Sequence, residues 1–169
     1  LPFTPETNIC ICSCTKAMTG AAVAMLADDG GIEWDRPLRD FVPSFRMHDP
    51  VLTERVTVRD LLSHRTGVPG NDSAWVFSSR TRAELAQALR HLPPNRDLRA
   101  AYQYNNLQYS LVGWAIESIT GLTWEDFLRE RLFAPAGMRA SQFANDAEPV
   151  APDFAVGHTT AKLVPSHLF

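Results

Sequence analysis

The stretch Ser13-Cys14-Thr15-Lys16-Ala17-Met18-Thr19-Gly20-Ala21-Ala22 sets a serine and a lysine three positions apart. Upstream, Asn8-Ile9-Cys10-Ile11-Cys12 reads as a short buried extended segment. From near Ser13 a helix is expected to run through Ala17, Ala21, Ala22, Met25 and Leu26, its small residues suited to close packing. Asp28-Asp29-Gly30-Gly31 stops it. Residues three apart share a helix face, so Lys16 can reach the Ser13 oxygen. The first N–H groups of a helix are unpaired and partly positive, which favours a developing alkoxide or oxyanion beside Ser13. Burial or a neighbouring cation would lower the lysine pKa and let it take the serine proton. By itself the pair is a frequent accident of helices, whose bland reading is a helix-start serine beside a solvated lysine.

Working outward, residues 32–56 carry Pro37, Pro43 and Pro50 with little periodicity and read as a long ordered loop. Thr57 with Asp60 three positions on marks a helix start, continued by Leu61 and Leu62 and closed by Gly67. Thr81-Arg82-Ala83-Glu84 is a capping box opening a helix with Leu85, Leu89 and Leu92 on one face. Polar residues 95–106 end in Tyr104-Asn105-Asn106, immediately before a helix carrying Leu107, Leu111, Val112, Ala115, Ile116 and Ile119 and closed by Gly121. Thr123 caps another helix, with Trp124, Phe127, Leu128 and Leu132 on one face. Leu163 to Phe169 reads as an edge strand or a frayed end, Pro165 weakening the strand. The balance is about five helices, long polar loops and almost no strand.

Composition narrows the function classes. The chain has 169 residues, 45% hydrophobic and 21% charged, with a net charge of −3. That suits a folded domain and argues against nucleic acid or an anionic membrane as partner. Lys16, Asp28 and Asp29 bracket the longest apolar run, short of the roughly 18 residues of a membrane span. The chain starts at Leu1 with no initiator Met and no leader segment, which reads as a processed product or a part of something longer. Cys10, Cys12 and Cys14 are the only cysteines. Neighbours this close do not bridge within regular backbone, no His pair offers zinc-finger spacing, and they read as small buried side chains. This usage leans toward a reducing, cytoplasmic setting. There is no G-x-S-x-G, H-E-x-x-H, P-loop or G-x-G-x-x-G, so the common esterase, zincin, kinase and dinucleotide readings lose their support.

The ordered set of Ser13-Cys14-Thr15-Lys16, Leu61-Leu62-Ser63-His64-Arg65-Thr66-Gly67, Tyr104-Asn105-Asn106 and Glu125-Asp126-Phe127 through Pro135-Ala136-Gly137-Met138 resembles the serine β-lactamase and penicillin-binding-protein superfamily. The likeness is to its class C β-lactamase, DD-peptidase and esterase branch. It implies an α+β fold of β-lactamase/transpeptidase type. Residues 1–169 would form a partial domain, mainly the helical region, truncated at both ends and lacking most of the central antiparallel sheet. It also implies a serine hydrolase working through an acyl-enzyme on an amide, β-lactam or ester carbonyl, with no metal or organic cofactor and a small-molecule or peptide substrate. The alternative is an inactive or incomplete relative serving as a binding or scaffold module.

Carried over by motif, Ser13 is the expected nucleophile and Lys16 its activator. Tyr104 is the proton relay or base, Asn106 the amide that orients lysine and substrate, and Asn71 a substrate-contacting amide. Whether Lys16 or Tyr104 is the base stays open, as do compartment and oligomeric state. The family's third motif, a Lys- or His-led triplet ending in Gly, is not found. Gly157-His158-Thr159-Thr160, its only substitute, reads as loop. His64 is expected to bond nearby backbone rather than move protons. Trp75, Trp114 and Trp124 read as packing. Glu33, Asp35 and Asp40 with Arg36 and Arg39 read as a salt-bridged surface.

Overall fold

In the computed structural model, residues 3–4, 7–72, 78–143, 153, 155, 157–158 and 163–164 are described. Trp75, Thr159, Thr160 and residues 165–169 lie outside them. The chain enters through a 3-10 turn at Cys12–Cys14 and continues directly into α1, Thr15–Asp28. Gly30, with φ 75°, turns the backbone out of that helix in the left-handed conformation that only glycine adopts without strain. Then follow a 3-10 turn at Leu38–Asp40, α2 (Pro50–Arg55), α3 (Val58–Leu62), α4 (Arg82–Ala88), α5 (Asn106–Thr120) and α6 (Trp124–Leu128). A pair of two-residue strands, β1 (Gly157–His158) and β2 (Leu163–Val164), runs antiparallel with His158 opposite Leu163.

Helix α5 is the hub. Leu107, Leu111, Val112, Ala115 and Ile116 are buried along it, and it packs against α1, α3, α4 and α6. Helix α1 answers with Ala22, Val23 and Leu26. Gly113 lets α4 come close, since a Cβ there would lie 3.0 Å from Arg82 Cδ. Arg82 crosses that gap to Glu117 Oε1 at 2.7 Å and Glu125 Oε1 at 2.6 Å, so one guanidinium joins α4, α5 and α6.

The caps read from sequence form as expected. Thr57 and Asp60 close a reciprocal box at α3, Thr81 and Glu84 another at α4, and Thr123 accepts from the Asp126 N–H at α6. The surface charges pair as Arg36 with Glu33 and Asp40, Arg39 with Glu54, and Arg59 with Asp35. Trp124 is buried and Trp114 partly so.

Five expectations need correction. Residues 32–56 are not all loop: Asp49 caps α2 and Pro50 sits at its first turn, where a missing N–H costs nothing, so the proline begins a helix. The helix after Thr123 does not continue in register. It widens into a π-type turn at Arg129–Phe133, which buries Phe133 and leaves Leu132 at the margin. Residues 9–12 are exposed rather than buried. The segment is anchored at Asn8, which exchanges backbone hydrogen bonds with Asp153 and Ala155 at 2.9 and 2.8 Å. Finally, Cys10, Cys12 and Cys14 are all exposed. Gly157 and His158 belong to a strand rather than a loop.

Candidate active site

Ser13 lies in the middle of the 3-10 turn and Lys16 in the first turn of α1, which puts them on one side of the chain. Lys16 Nζ donates to Ser13 Oγ at 3.1 Å and to Asn106 Oδ1 at 2.7 Å. Tyr104 Oη stands 2.6 Å from Ser13 Oγ. The ammonium also faces the Tyr104 and Tyr109 rings, 4.6 and 5.3 Å from their centroids. Ser13 and Tyr104 are 91 positions apart in sequence, so only the packing of α1 against α5 makes this contact.

The segment bearing Tyr104 is held from several sides. Asn105 is fully buried and caps α5, its side chain accepting from the Leu107 N–H at 2.9 Å. Its Nδ2 donates to the Pro69 carbonyl at 2.9 Å, and its backbone N–H to His64 Nδ1 at 3.2 Å. His64 in turn accepts from the Gln103 N–H through its carbonyl at 2.8 Å and lays its ring 4.6 Å from that of Tyr104. Gly70 touches the same segment: a Cβ on it would lie 2.7 Å from the Tyr104 carbonyl oxygen. Gly67, with φ 81°, would bring a Cβ to 2.0 Å from the Arg96 carbonyl oxygen. The Leu-Leu-Ser-His-Arg-Thr-Gly stretch is therefore a clamp on the tyrosine segment. His64 plays the structural part expected of it.

The electrostatics converge on the phenol. Burial alone would raise the Tyr104 pKa, but hydrogen bonds from Lys16 and Ser13 and the lysine charge bring it below its usual value, with Asp72 pulling the other way. His64 is pushed down, first by burial and then by the Lys16 charge.

Ser13, Lys16, Tyr104 and Asn106 thus meet in one cluster. Asn71 is half-buried and precedes Asp72 in the chain. Asp72 was not singled out in the sequence, yet its Oδ1 accepts from Asn106 Nδ2 at 3.1 Å. An exposed aspartate in a Gly-, Pro- and Asn-rich loop carries no signal of this kind. Tyr109, three positions beyond Asn106, was not singled out either; its hydroxyl donates to the Leu62 carbonyl at 2.8 Å. Among the described residues, no three His, Cys, Asp or Glu side chains converge as ligands for a metal ion. No helix among them is long and apolar enough to cross a membrane.

A serine, a lysine and a tyrosine within mutual hydrogen-bond reach at a helix start, on a helical body of this arrangement, define a class of β-lactamase/transpeptidase-like proteins. The family model "Beta-lactamase" matches residues 1–166, and the chain belongs to that family, within the serine β-lactamase and penicillin-binding-protein superfamily. The D-amino acid amidase of Ochrobactrum anthropi SV3, solved with L-phenylalanine, superposes with a TM-score of 0.81 at 27% identity, covering 100% of this chain and 49% of the amidase. An octameric penicillin-binding protein homologue from Pyrococcus abyssi gives 0.78 at 28% identity, covering 98% of this chain and 40% of that one. In sequence, the unguisins hydrolase ungD' of Aspergillus campestris is 29% identical over 97% of this chain and 33% of its own length. The chain therefore spans a third to a half of the length of these relatives, and hydrolases and amidases are among them.

Proposed function

We propose that the chain carries the nucleophile, lysine and tyrosine of a serine acyl-transfer hydrolase acting on an amide, lactam or ester carbonyl. The observation that supports this best is the double contact at Ser13 Oγ, 2.6 Å from the Tyr104 hydroxyl and 3.1 Å from the Lys16 amine. Hydrogen-bonded this way, the serine proton passes to Tyr104 as Oγ attacks the carbonyl carbon. Tyr104 suits the base role because its phenol is lowered by the hydrogen bonds and charge around it, against the effect of burial. Lys16 stabilises the phenolate, its position set by the Asn106 side-chain Oδ1.

The new oxyanion faces the Ser13 N–H in the 3-10 turn, where the first N–H groups lack intrahelical acceptors. On collapse, the leaving amine or alcohol takes the proton from Tyr104, and an ester to Ser13 remains. Water then attacks that ester with Tyr104 again as base. The names of the relatives, an amidase and a hydrolase, favour an amide as the natural bond.

The test is incubation with a fluorophosphonate, an activated ester and a reactive β-lactam, followed by intact mass and peptide mapping. The expected result is a single adduct on Ser13 that is absent in Ser13→Ala. Adduct elsewhere, or equal turnover by Ser13→Ala, overturns the assignment.

A further inference from the structure

Beside the nucleophile stands a feature that the acyl-transfer reading does not use. Cys10 and Cys12 are exposed, and their Sγ atoms lie 3.7 Å apart. In an extended strand, residues two apart have Cα atoms about 6.7 Å from each other and side chains held parallel, which keeps such a pair from bridging. Here Cys12 has φ 46°, a left-handed conformation that folds the chain back and brings the thiols together. Cys12 is also the first residue of the turn whose second residue is Ser13. The neighbouring Ile9 and Ile11 are themselves exposed, so among the described residues the segment is open to small solutes.

We infer that Cys10 and Cys12 form a reversible dithiol–disulfide site whose closure displaces Ser13 from Tyr104 and Lys16. The oxidant is a low-molecular-weight disulfide of the glutathione class. The Cys10 thiolate attacks one sulfur of the oxidant, releasing one thiol and leaving a mixed disulfide on Cys10. The Cys12 thiolate then attacks the Cys10 sulfur and expels the second thiol. Two electrons pass from the cysteine pair to the oxidant, and the two cysteine protons end on the two released thiols. The hydrogen bond to Cys10, then burial, then the charges of Cys10 and Cys14 hold the Cys12 thiol above its ordinary value.

A disulfide needs sulfurs about 2.05 Å apart, so closure draws the pair together by roughly 1.7 Å from 3.7 Å. So small a ring is strained, which makes the bond easily reduced and therefore reversible. The movement is taken up at Cys12, one residue from Ser13. Displacing a reacting group by about 1 Å can cost on the order of 100-fold in rate. The consequence for acylation rests on Ser13 being the acylated residue; the closure itself does not.

The test uses the whole chain, glutathione disulfide as oxidant and dithiothreitol as reductant. The parent and Cys14→Ser are expected to lose two hydrogens per chain, with peptide mapping placing the link between Cys10 and Cys12 and the reductant restoring the thiols. Cys10→Ser and Cys12→Ser are expected to stop at a mixed disulfide. Fluorophosphonate labelling of Ser13 is expected to fall at least about tenfold on closure in Cys14→Ser, and to be insensitive to oxidant in the cysteine-free triple variant. Ultraviolet titration, assigned with Tyr104→Phe, provides a readout independent of catalysis: Tyr104 loses its Ser13 hydrogen bond and titrates at higher pH in the oxidised chain. A link between other cysteines, a persistent mixed disulfide on the parent, or closure that leaves the Tyr104 titration unchanged overturns the inference. Absence of labelling in the reduced parent counts instead against Ser13 as nucleophile, with the mass and titration readouts still deciding the dithiol.

Discussion

The backbone N–H of Asn105 donates to Nδ1 of His64 across 3.2 Å, with His64 buried to 4% exposure. An imidazole that accepts at Nδ1 carries its neutral-form proton at Nε2. The histidine thus fixes the tyrosine segment only while it is neutral, and the site inherits a pH dependence from a residue that touches no substrate.

That dependence has a definite sign. Burial, followed by the Lys16 charge, lowers the His64 pKa below its usual 6.5. The unfolded chain then binds the proton first, so stability is fully present above 6.5 and falls as the pH drops from there through the folded value. Melting temperature measured between pH 7 and about pH 5 should decline more steeply in the parent than in His64→Asn. Asparagine suits this position because His64 sits at φ 57°. Equal slopes in the two proteins would remove His64 from the explanation.

Tyr104→Phe removes the hydroxyl 2.6 Å from Ser13 Oγ and leaves the ring against His64. Ser13 acylation by an activated ester should fall by about 100-fold or more, as for loss of a general base, with little change in melting temperature. A variant that acylates at the parental rate would assign the proton to Lys16 instead.

Asp72 holds the Asn106 amide with Nδ2 toward itself, which turns Oδ1 toward Lys16. Its negative charge also raises the Tyr104 pKa. Asp72→Asn should therefore shift the ultraviolet titration of Tyr104 to lower pH, and the alkaline rise of acylation should shift with it. A titration curve superimposable on the parent's would show that the carboxylate is not felt at the phenol.

Two glycines in the clamp separate folding from function. Gly67→Ala adds a Cβ at φ 81° that collides with the Arg96 carbonyl, and should cost at least about 2 kcal/mol in denaturant unfolding. Gly70→Ala meets only the Tyr104 carbonyl oxygen, at 2.7 Å from the added Cβ. There the larger effect should be on Ser13 acylation, about tenfold slower, with stability nearly retained. Equal losses of stability would mean that Gly70 serves the fold alone.

Local chemistry was legible in the chain. The boxes at Thr57/Asp60 and Thr81/Glu84, the glycine stops at Gly30 and Gly121, and the buried face of α5 depend on residues within a few positions of one another. The Ser13–Lys16 pair is legible for the same reason, since three positions on a helix place both on one side. Helix α2 was hidden because Pro50 serves equally as a breaker and as a first-turn residue, and only the capped geometry at Asp49 tells them apart.

Other features depend on long-range packing. The Asp72–Asn106 bond spans 34 positions and the Asn105–His64 bond 41, and no local pattern encodes either. The exposure of the three cysteines reversed an expectation based on residue type, because burial depends on what packs over a segment and not on its own hydrophobicity. Sequence chemistry could nominate a serine, a lysine, a tyrosine and an asparagine. Their meeting at one point follows from the seating of α1 against α5, which carries the tyrosine segment to the turn that holds Ser13.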